Sequence, residues 1–211
     1  MFANASDDAC PRGIAQTHLL VKQETRGLQN ALVTLERDSR RVMPTRLQAR
    51  LVMDGCQLLP RVQWIPLGSS LALINKDPAR HQLIAMQGDN QLFEADLPPD
   101  GAPLRRPFVV PGMYEISCRR HLWERAWVYV SPHDSVALTD SLGEFSMKNV
   151  PIGRYAIRVW HEGWKTQGVD RSGRPRFSPV EEVQEITVHD QETSRMTFEN
   201  LTATFTGAVP Q

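Results

Sequence analysis

Short apolar runs separated by turn residues are the feature of this 211-residue chain that most limits its fold. No stretch shows the apolar spacing of three and four residues that a long amphipathic helix requires. Turns that contain Gly or Pro, such as Pro111-Gly112, separate the runs instead, which is typical of strands. The pattern predicts strands at 18–23, 31–36, 46–53, 61–65, 70–74, 82–85, 112–117, 126–130, 135–139, 144–148, 153–160, 183–188 and 195–198. We therefore expect an all-β protein.

Composition excludes several classes of function. Hydrophobic residues make up 41% of the chain and charged residues 23%, as in ordinary globular proteins. Lys and Arg number 24, as do Asp and Glu, so no basic excess indicates a nucleic acid or anionic membrane partner. Apolar runs such as Trp127–Val130 are too short for a transmembrane segment. The polar range 165–179, rich in Arg, Gly and Pro, predicts a long surface loop.

The cysteines and the amino terminus bear on the cellular compartment. Cys10, Cys56 and Cys118 allow at most one disulfide, so at least one thiol stays free. Cys10 lies in a polar stretch and receives no predicted role. The triplet Ala3-Asn4-Ala5 before Ser6 has the small residues of a cleaved secretory signal, but a chance triplet explains it equally well.

Two motifs far apart in the chain indicate one small domain. Residues 140–145 read Asp-Ser-Leu-Gly-Glu-Phe, and residues 150–155 read Val-Pro-Ile-Gly-Arg-Tyr. This pair resembles the hairpin of carboxypeptidase regulatory-like domains, which are transthyretin-like β-sandwiches. The family's "G-x-x-x-A-x-V-x-L" signature occurs at 27–35, more than a hundred residues upstream. The resemblance implies a discontinuous sandwich, 15–45 plus 131–206, with a second domain inserted at 46–130.

The inserted range carries a second set of motifs. Val62 and Asn75-Lys76-Asp77 precede His81, and residues 111–121 read Pro-Gly-Met-Tyr-Glu-Ile-Ser-Cys-Arg-Arg-His. These ranges resemble the cupredoxins, in particular the cupredoxin-like proteins described as methylamine-utilisation proteins, which also carry "H-x-W" and "W-H" motifs. Those motifs occur here as His121-Leu122-Trp123 and Trp160-His161. The resemblance implies a Greek-key barrel inserted into the sandwich.

A copper site follows from the same resemblance, with His81, Cys118 and His121 as ligands. Two imidazoles and one thiolate suit copper because sulfur satisfies Cu(I) and nitrogen suits both oxidation states. A rigid β scaffold would keep the ligand geometry nearly fixed during electron transfer. The family implies a periplasmic protein that transfers single electrons to a redox partner protein or holds copper. No nucleophile triad, P-loop or dinucleotide fingerprint is present, so we expect no enzymatic activity. The oligomeric state stays open.

Departures from the family pattern leave the fourth ligand open. Glu124 stands three residues after His121, where relatives place an axial Met, and Arg61 stands where many have His. Glu124 as a ligand would stabilise Cu(II) and move the site towards the red type of nitrosocyanin. Alternatively, the site is open to solvent, or Glu124 points to solvent and copper is not bound. We keep Glu124 as a candidate metal ligand.

Cys56 and the overall function also keep alternatives. Cys56 could form a disulfide with Cys118, serve as a second thiolate ligand, or be a buried free thiol. A disulfide with Cys118 would abolish the copper site. The competing function is a structural or binding module that has lost its metal. A zinc hydrolase built on His81, His121 and Glu124 is less favoured, because no general base accompanies them.

Overall fold

The computed structural model describes residues 9–10, 20–22, 26–36, 48–170, 173–190, 193–199 and 201. These residues contain strands and turns but no helix, which confirms the all-β prediction. A helix long and apolar enough to cross a membrane is accordingly not found among them. The triplet Ala3-Asn4-Ala5 and the predicted domain boundary at 45/46 lie outside the described residues.

The described residues contain fifteen strands. They are β1 (Leu32–Glu36), β2 (Gln48–Met53), β3 (Leu58–Leu59), β4 (Val62–Pro66), β5 (Ser70–Asn75), β6 (His81–Gln87), β7 (Asn90–Leu97), β8 (Leu104–Pro107), β9 (Gly112–Cys118), β10 (Arg125–Ser131), β11 (Val136–Leu138), β12 (Gly153–His161), β13 (Thr166–Val169), β14 (Pro175–Phe177) and β15 (Val180–Val188).

The chain forms two compact units. The first unit holds the described residues 9–10, 48–134 and 173–174, and the second unit holds the remaining described residues. The assignment of the two units to the cupredoxin and carboxypeptidase regulatory-like families stays a prediction.

Two sheets form the first unit, with strand orders β4-β10-β9-β6-β7 and β3-β2-β5-β8. Inward-facing side chains alternate along the strands, as on β10, where Ala126, Val128 and Val130 are buried. Side chains from both sheets join one apolar core, which includes Leu73 from β5 and Tyr114 from β9. The first unit is therefore a β-sandwich.

Strand pairing brings two loops to one end of this sandwich. β6 runs antiparallel to β9, and Leu83 pairs with Cys118, so the start of β6 lies beside the end of β9. β9 also runs antiparallel to β10, which begins at Arg125. The segment 119–124 therefore connects two neighbouring strands at the end where β6 begins with His81.

A four-stranded sheet in the order β11-β1-β12-β15 forms the centre of the second unit, and β13 pairs with β14. β1 pairs with β11 and β12, more than a hundred residues later in the chain. The motif glycines of the two segments also meet, because a Cβ on Gly27 would lie 1.7 Å from the carbonyl oxygen of Leu142. A Cβ added to Gly143 would likewise lie 2.4 Å from the Cα of Gly27.

Several predicted elements differ from the structure. The ranges 144–148 and 195–198 are not strands, although Phe145, Met147, Met196 and Phe198 pack on the core of the second unit. The predicted loop 165–179 contains β13 and β14, and the strands β3, β7 and β8 lie outside every predicted range. At 144–148 and 195–198, alternating apolar residues therefore identified side chains that pack on the core, although the described residues form no strand ladder there.

Candidate metal centre

His81, the first residue of β6, is fully buried at the end of the first sandwich. Its ring nitrogens face different neighbours. Nε2 lies 3.2 Å from Oδ2 of Asp77, and Nδ1 points towards the residues of the segment 119–124 and Cys118. The contact with Asp77 lacks good hydrogen-bond geometry, so Asp77 acts on the ring as a nearby carboxylate and not as a hydrogen-bond acceptor. A metal ion on Nδ1 would use the lone pair of that nitrogen.

Cys118 and His121 approach the same nitrogen from the loop after β9. The Sγ of Cys118 lies 4.0 Å from Nδ1 of His81 and 3.6 Å from Nδ1 of His121. The two Nδ1 atoms are 3.3 Å apart. Cys118 is buried and carries a free thiol. The three residues predicted to converge therefore lie within reach of a single ion.

Glu124 completes what we call the His–Cys–Glu cluster: His81, Cys118, His121 and Glu124. Its Oε2 lies 2.9 Å from Nδ1 of His81, and its Oε1 lies 3.3 Å from Nδ1 of His121. The side chain has 0% exposure, so the alternative in which Glu124 points to solvent is wrong. A turn in which the N–H of Glu124 donates to the carbonyl of His121 directs the carboxylate inward.

The cluster shifts the pKa of each of its members. Burial lowers the pKa of both histidines, but hydrogen bonds to Cys118 and Glu124 outweigh it and raise the pKa of His81 to about 9 and of His121 to about 10. Burial also disfavours the Cys118 thiolate, yet the imidazoles lower its pKa to about 7. The same imidazoles lower the pKa of Glu124 against the effect of burial. Two anionic groups thus draw positive charge into a buried site.

The donor atoms suit a cation. Glu124 Oε1 is buried, and its 3.3 Å contact with Nδ1 of His121 lacks good hydrogen-bond geometry within the described structure. Two imidazole nitrogens at 3.3 Å cannot face each other with both lone pairs unless a proton or a metal ion lies between them. Two nitrogens, one sulfur and one carboxylate form a mixed donor set that suits copper better than a hard cation such as Mg²⁺. The residues present therefore fit a copper ion.

Two buried residues hold the cluster from outside. Asn75, at the end of β5, donates from Nδ2 to the carbonyls of Ala79 and Leu97 at 2.8 and 3.0 Å, and its Oδ1 accepts the N–H of Asp77 at 2.9 Å. This fixes the loop that aims the Asp77 carboxylate at His81. Both residues belong to the motif before His81, but no pattern in the sequence assigned them this role.

Arg174 supports the other side of the cluster. Its guanidinium donates to the carbonyl oxygen of Cys118 at 2.6 Å and to the hydroxyl of Ser117. The residue is buried in the first unit. Sequence reasoning placed Arg174 in a surface loop, and no local signal connects it with Cys118, which lies 56 residues earlier.

The cysteine pairing differs from the predicted alternatives for Cys56, which were a disulfide with Cys118, a second thiolate ligand or a buried free thiol. Cys56 forms a disulfide with Cys10, to which no role was assigned, so the predicted alternative of a Cys56–Cys118 disulfide is wrong. Cys118 keeps its thiol as a consequence. Disulfide connectivity depends on which segments meet in space, and the sequence contains no signal for the Cys10–Cys56 pair.

Comparison with known proteins yields structural likeness only. No family profile and no curated protein sequence matches this chain. Similar solved structures include the copper-containing nitrite reductase of Thermus scotoductus, with 23% identity and a TM-score of 0.37 over 46% of this chain and 25% of that chain. A purple cupredoxin from Nitrosopumilus maritimus has 23% identity and a TM-score of 0.36, over 39% of this chain and 99% of its own. Amicyanin from Paracoccus versutus has 16% identity and a TM-score of 0.36, over 47% and 97%. The chain thus spans a quarter of the nitrite reductase and nearly all of the two smaller proteins.

Proposed function

We propose that this protein is a cupredoxin-like copper protein that binds one ion through His81, Cys118 and His121, with Glu124 as the fourth ligand. The observation that carries this proposal is the convergence of the sulfur and the two imidazole nitrogens, with separations of 3.3, 3.6 and 4.0 Å. When bound, copper would supply a one-electron redox couple.

The chain's own residues keep the ligands in place. β6 and β9 are hydrogen-bonded neighbours, so the backbone holds His81 and Cys118 together. The Asp77 carboxylate orients the His81 ring, and Arg174 fixes the backbone of Cys118. Ligands held in this way reorganise little when the charge of a bound ion changes, which favours fast electron transfer.

Glu124 gives the proposed site a distinct character. A carboxylate is a harder, anionic ligand than the thioether that relatives carry at this position, and it stabilises the more highly charged Cu(II). We therefore expect a lower reduction potential than that of a methionine-ligated site on the same scaffold. The replacement Glu124→Met should raise the potential and shift the charge-transfer bands.

The remaining features of the proposal concern its setting. A buried disulfide between Cys10 and Cys56 supports an oxidising compartment such as the periplasm. We propose a redox partner protein as the source or acceptor of electrons and no catalytic reaction of its own. The second unit would serve as a carboxypeptidase regulatory-like scaffold or docking module.

Copper titration of the full chain tests the proposal. The wild type should bind one Cu(II) with a sulfur-to-copper charge-transfer band and an EPR signal of one site, and Cys118→Ser should lose the band. Cys56→Ser is unsuitable as the control because it breaks the disulfide, so Asp54→Asn serves instead, at a carboxylate that is 54% exposed and pairs with Lys76. Absence of the band in the wild type would favour the competing function, a module whose cluster is a metal-free ion-pair network.

A further inference from the structure

The Cys10–Cys56 disulfide is buried directly beside the His–Cys–Glu cluster. Cys10 is 3% exposed and Cys56 is 5% exposed. The Sγ of Cys10 and one donor atom from each of His81, His121 and Glu124 all lie within 4.8 Å of one another. The Sγ of Cys118 is not part of that group and approaches the Nδ1 atoms of His81 and His121 at 4.0 and 3.6 Å. Cys10 is thus a sulfur at the edge of the donor set, and its disulfide bond to Cys56 is what prevents it from acting as a thiolate.

Contacts of the disulfide also lead to the cluster. The N–H of Cys56 donates to Oδ2 of Asp77 at 3.1 Å, the same oxygen that faces Nε2 of His81. The carbonyl of Cys56 accepts the indole N–H of Trp123 at 3.0 Å, and the Trp123 ring lies 5.3 Å from the ring of His121. With Ala79 and Trp123, the two cysteines form a small apolar group that covers this side of the site.

A second observation indicates that the site can accept another interaction. Glu124 Oε1 is fully buried and accepts no well-directed hydrogen bond among the described residues. Glu124 also contributes one carboxylate oxygen to the set of donor atoms that lie within 4.8 Å of one another and include the Cys10 sulfur. A cation bound there would be close to the Cys10 sulfur as well.

We propose that Cys10 is a latent second sulfur ligand of this centre, which becomes available when a dithiol reduces the Cys10–Cys56 disulfide. The inference rests on the proposed function, since it adds a ligand to the same ion. The two thiols of the reductant lose two electrons and two protons and close into a disulfide. The Cys10–Cys56 bond breaks, and each sulfur takes up one electron and one proton. A metal ion then displaces the Cys10 proton to solvent.

The added thiolate would change which ions the site prefers. The oxidised protein offers a single thiolate, Cys118, and the reduced protein would offer two. Soft thiolate ligands favour Cu(I) and Zn²⁺ over harder ions. The disulfide state would therefore determine whether the site is adapted to redox cycling or to tight holding of a soft metal.

Two matched variants test the inference. Cys56→Ser and Cys10→Ser both remove the disulfide, but only Cys56→Ser leaves a free thiol at position 10. Each full-length protein is loaded with Co²⁺ without oxygen, and the near-ultraviolet sulfur-to-cobalt absorption per bound ion is measured. We expect Cys56→Ser to show about twofold the absorption of the oxidised wild type, because a second thiolate binds, and Cys10→Ser to equal the wild type.

Chemically reduced wild type provides an independent measurement if a variant fails to fold. The protein is treated with a phosphine, which is removed before Co²⁺ is added, and it should match Cys56→Ser. Equal absorption in the oxidised and reduced wild type would overturn the proposed role of Cys10. It would leave the proposed function standing, because the band would still show that Cys118 binds the ion. Absence of any sulfur-to-cobalt band in the oxidised wild type would overturn the proposed function and this inference together.

Discussion

His81 in the first unit and His161 in the second are both almost fully buried, with 0% and 1% of their surface exposed. Nδ1 of His161 accepts the N–H of Gly163 at 3.0 Å, a local bond that closes a turn after β12. Nδ1 of His81 instead lies within 4.0 Å of a sulfur, a second imidazole and a carboxylate. The same residue type is part of a turn in one unit and part of a donor cluster in the other.

The two units otherwise share their construction. Each packs strands on an apolar core, and each contains a tyrosine whose hydroxyl donates to a carbonyl four residues earlier: Tyr114 to Val110 at 3.0 Å, and Tyr155 to Pro151 at 2.7 Å. Among the residues that the structure describes, however, the groups of metal-ligating side chains all lie in the first unit. Groups of metal-ligating side chains are therefore not a general consequence of the β architecture that the two units share.

Replacement of the two histidines should give the largest contrast. His81→Ala removes a proposed ligand, so we expect Cu(II) affinity to fall by at least about 100-fold, beyond the usual loss for an outer-sphere partner. His161→Ala should leave the affinity unchanged and lower the free energy of unfolding by about 1–3 kcal/mol, because the Gly163 N–H loses its acceptor. Competition with a chelator and denaturant unfolding measure the two quantities. Equal affinity losses in both variants would contradict the distinction.

Gly27→Ala should damage the second unit and spare the metal chemistry. The added Cβ would lie 1.7 Å from the Leu142 carbonyl, so backbone must shift, and we expect a loss of about 3 kcal/mol in unfolding free energy. Gly168→Ala is the matched control in the same unit, because an added Cβ there meets nothing within 4 Å. Its only cost is the strain of an alanine at a positive φ, about 1–2 kcal/mol. Denaturant titration compares the variants, and the copper spectrum of the folded protein should be identical in both. A spectral change in Gly27→Ala would show that the two units are coupled.

The stability of the metal-free protein should depend on the cluster through pH. The folded-state pKa values of His81 and His121, about 9 and 10, exceed the unfolded value near 6.5, so this stabilisation is complete below about pH 6.5 and is lost as pH rises through 9 to 10. Cys118 has its pKa lowered to about 7, so between pH 7 and 9 its thiol holds a proton in the unfolded chain but not in the folded protein. This offsets about one of the two extra protons that the histidines hold in the folded protein.

Unfolding free energy should therefore fall by about 1 kcal/mol per pH unit between pH 7 and 9 in chelator-treated protein. Glu124→Gln removes the carboxylate that helps to raise both histidine pKa values, so its slope should be smaller. Denaturant melts at three pH values measure the slopes. Identical slopes in the wild type and Glu124→Gln would show that the carboxylate does not hold the protons.

The features of the two units that depend on local sequence pattern could be predicted from the sequence. Period-two alternation identified most strands, and the four candidate ligands lie together as their motifs indicated, although their role as ligands stays a prediction. β7 was missed because Glu94 and Asp96 lower strand propensity between the buried Phe93, Ala95 and Leu97. Cys10 and Arg174 lie beside the cluster through contacts with Cys56 and Cys118, which are 46 and 56 residues away in the chain. Contacts of that range leave no periodicity in a single sequence.

Asp77→Asn should give the smallest and most informative effect. Asp77 touches the ring nitrogen of His81 that faces away from the cluster, at 3.2 Å, and it is 5% exposed. An amide in place of the carboxylate removes the negative charge beside Nε2 and lowers the basicity of Nδ1, so we expect Cu(II) affinity to fall by about 10-fold with little change in fold. Asp54→Asn is the control, because that carboxylate is 54% exposed and pairs with Lys76 at 3.2 Å. Chelator competition at fixed pH compares the two. If Asp77→Asn bound copper as tightly as Asp54→Asn, the contact at Nε2 would not matter and the backbone alone would orient His81. The difference between His81 and the turn-forming His161 would then depend only on the groups around Nδ1.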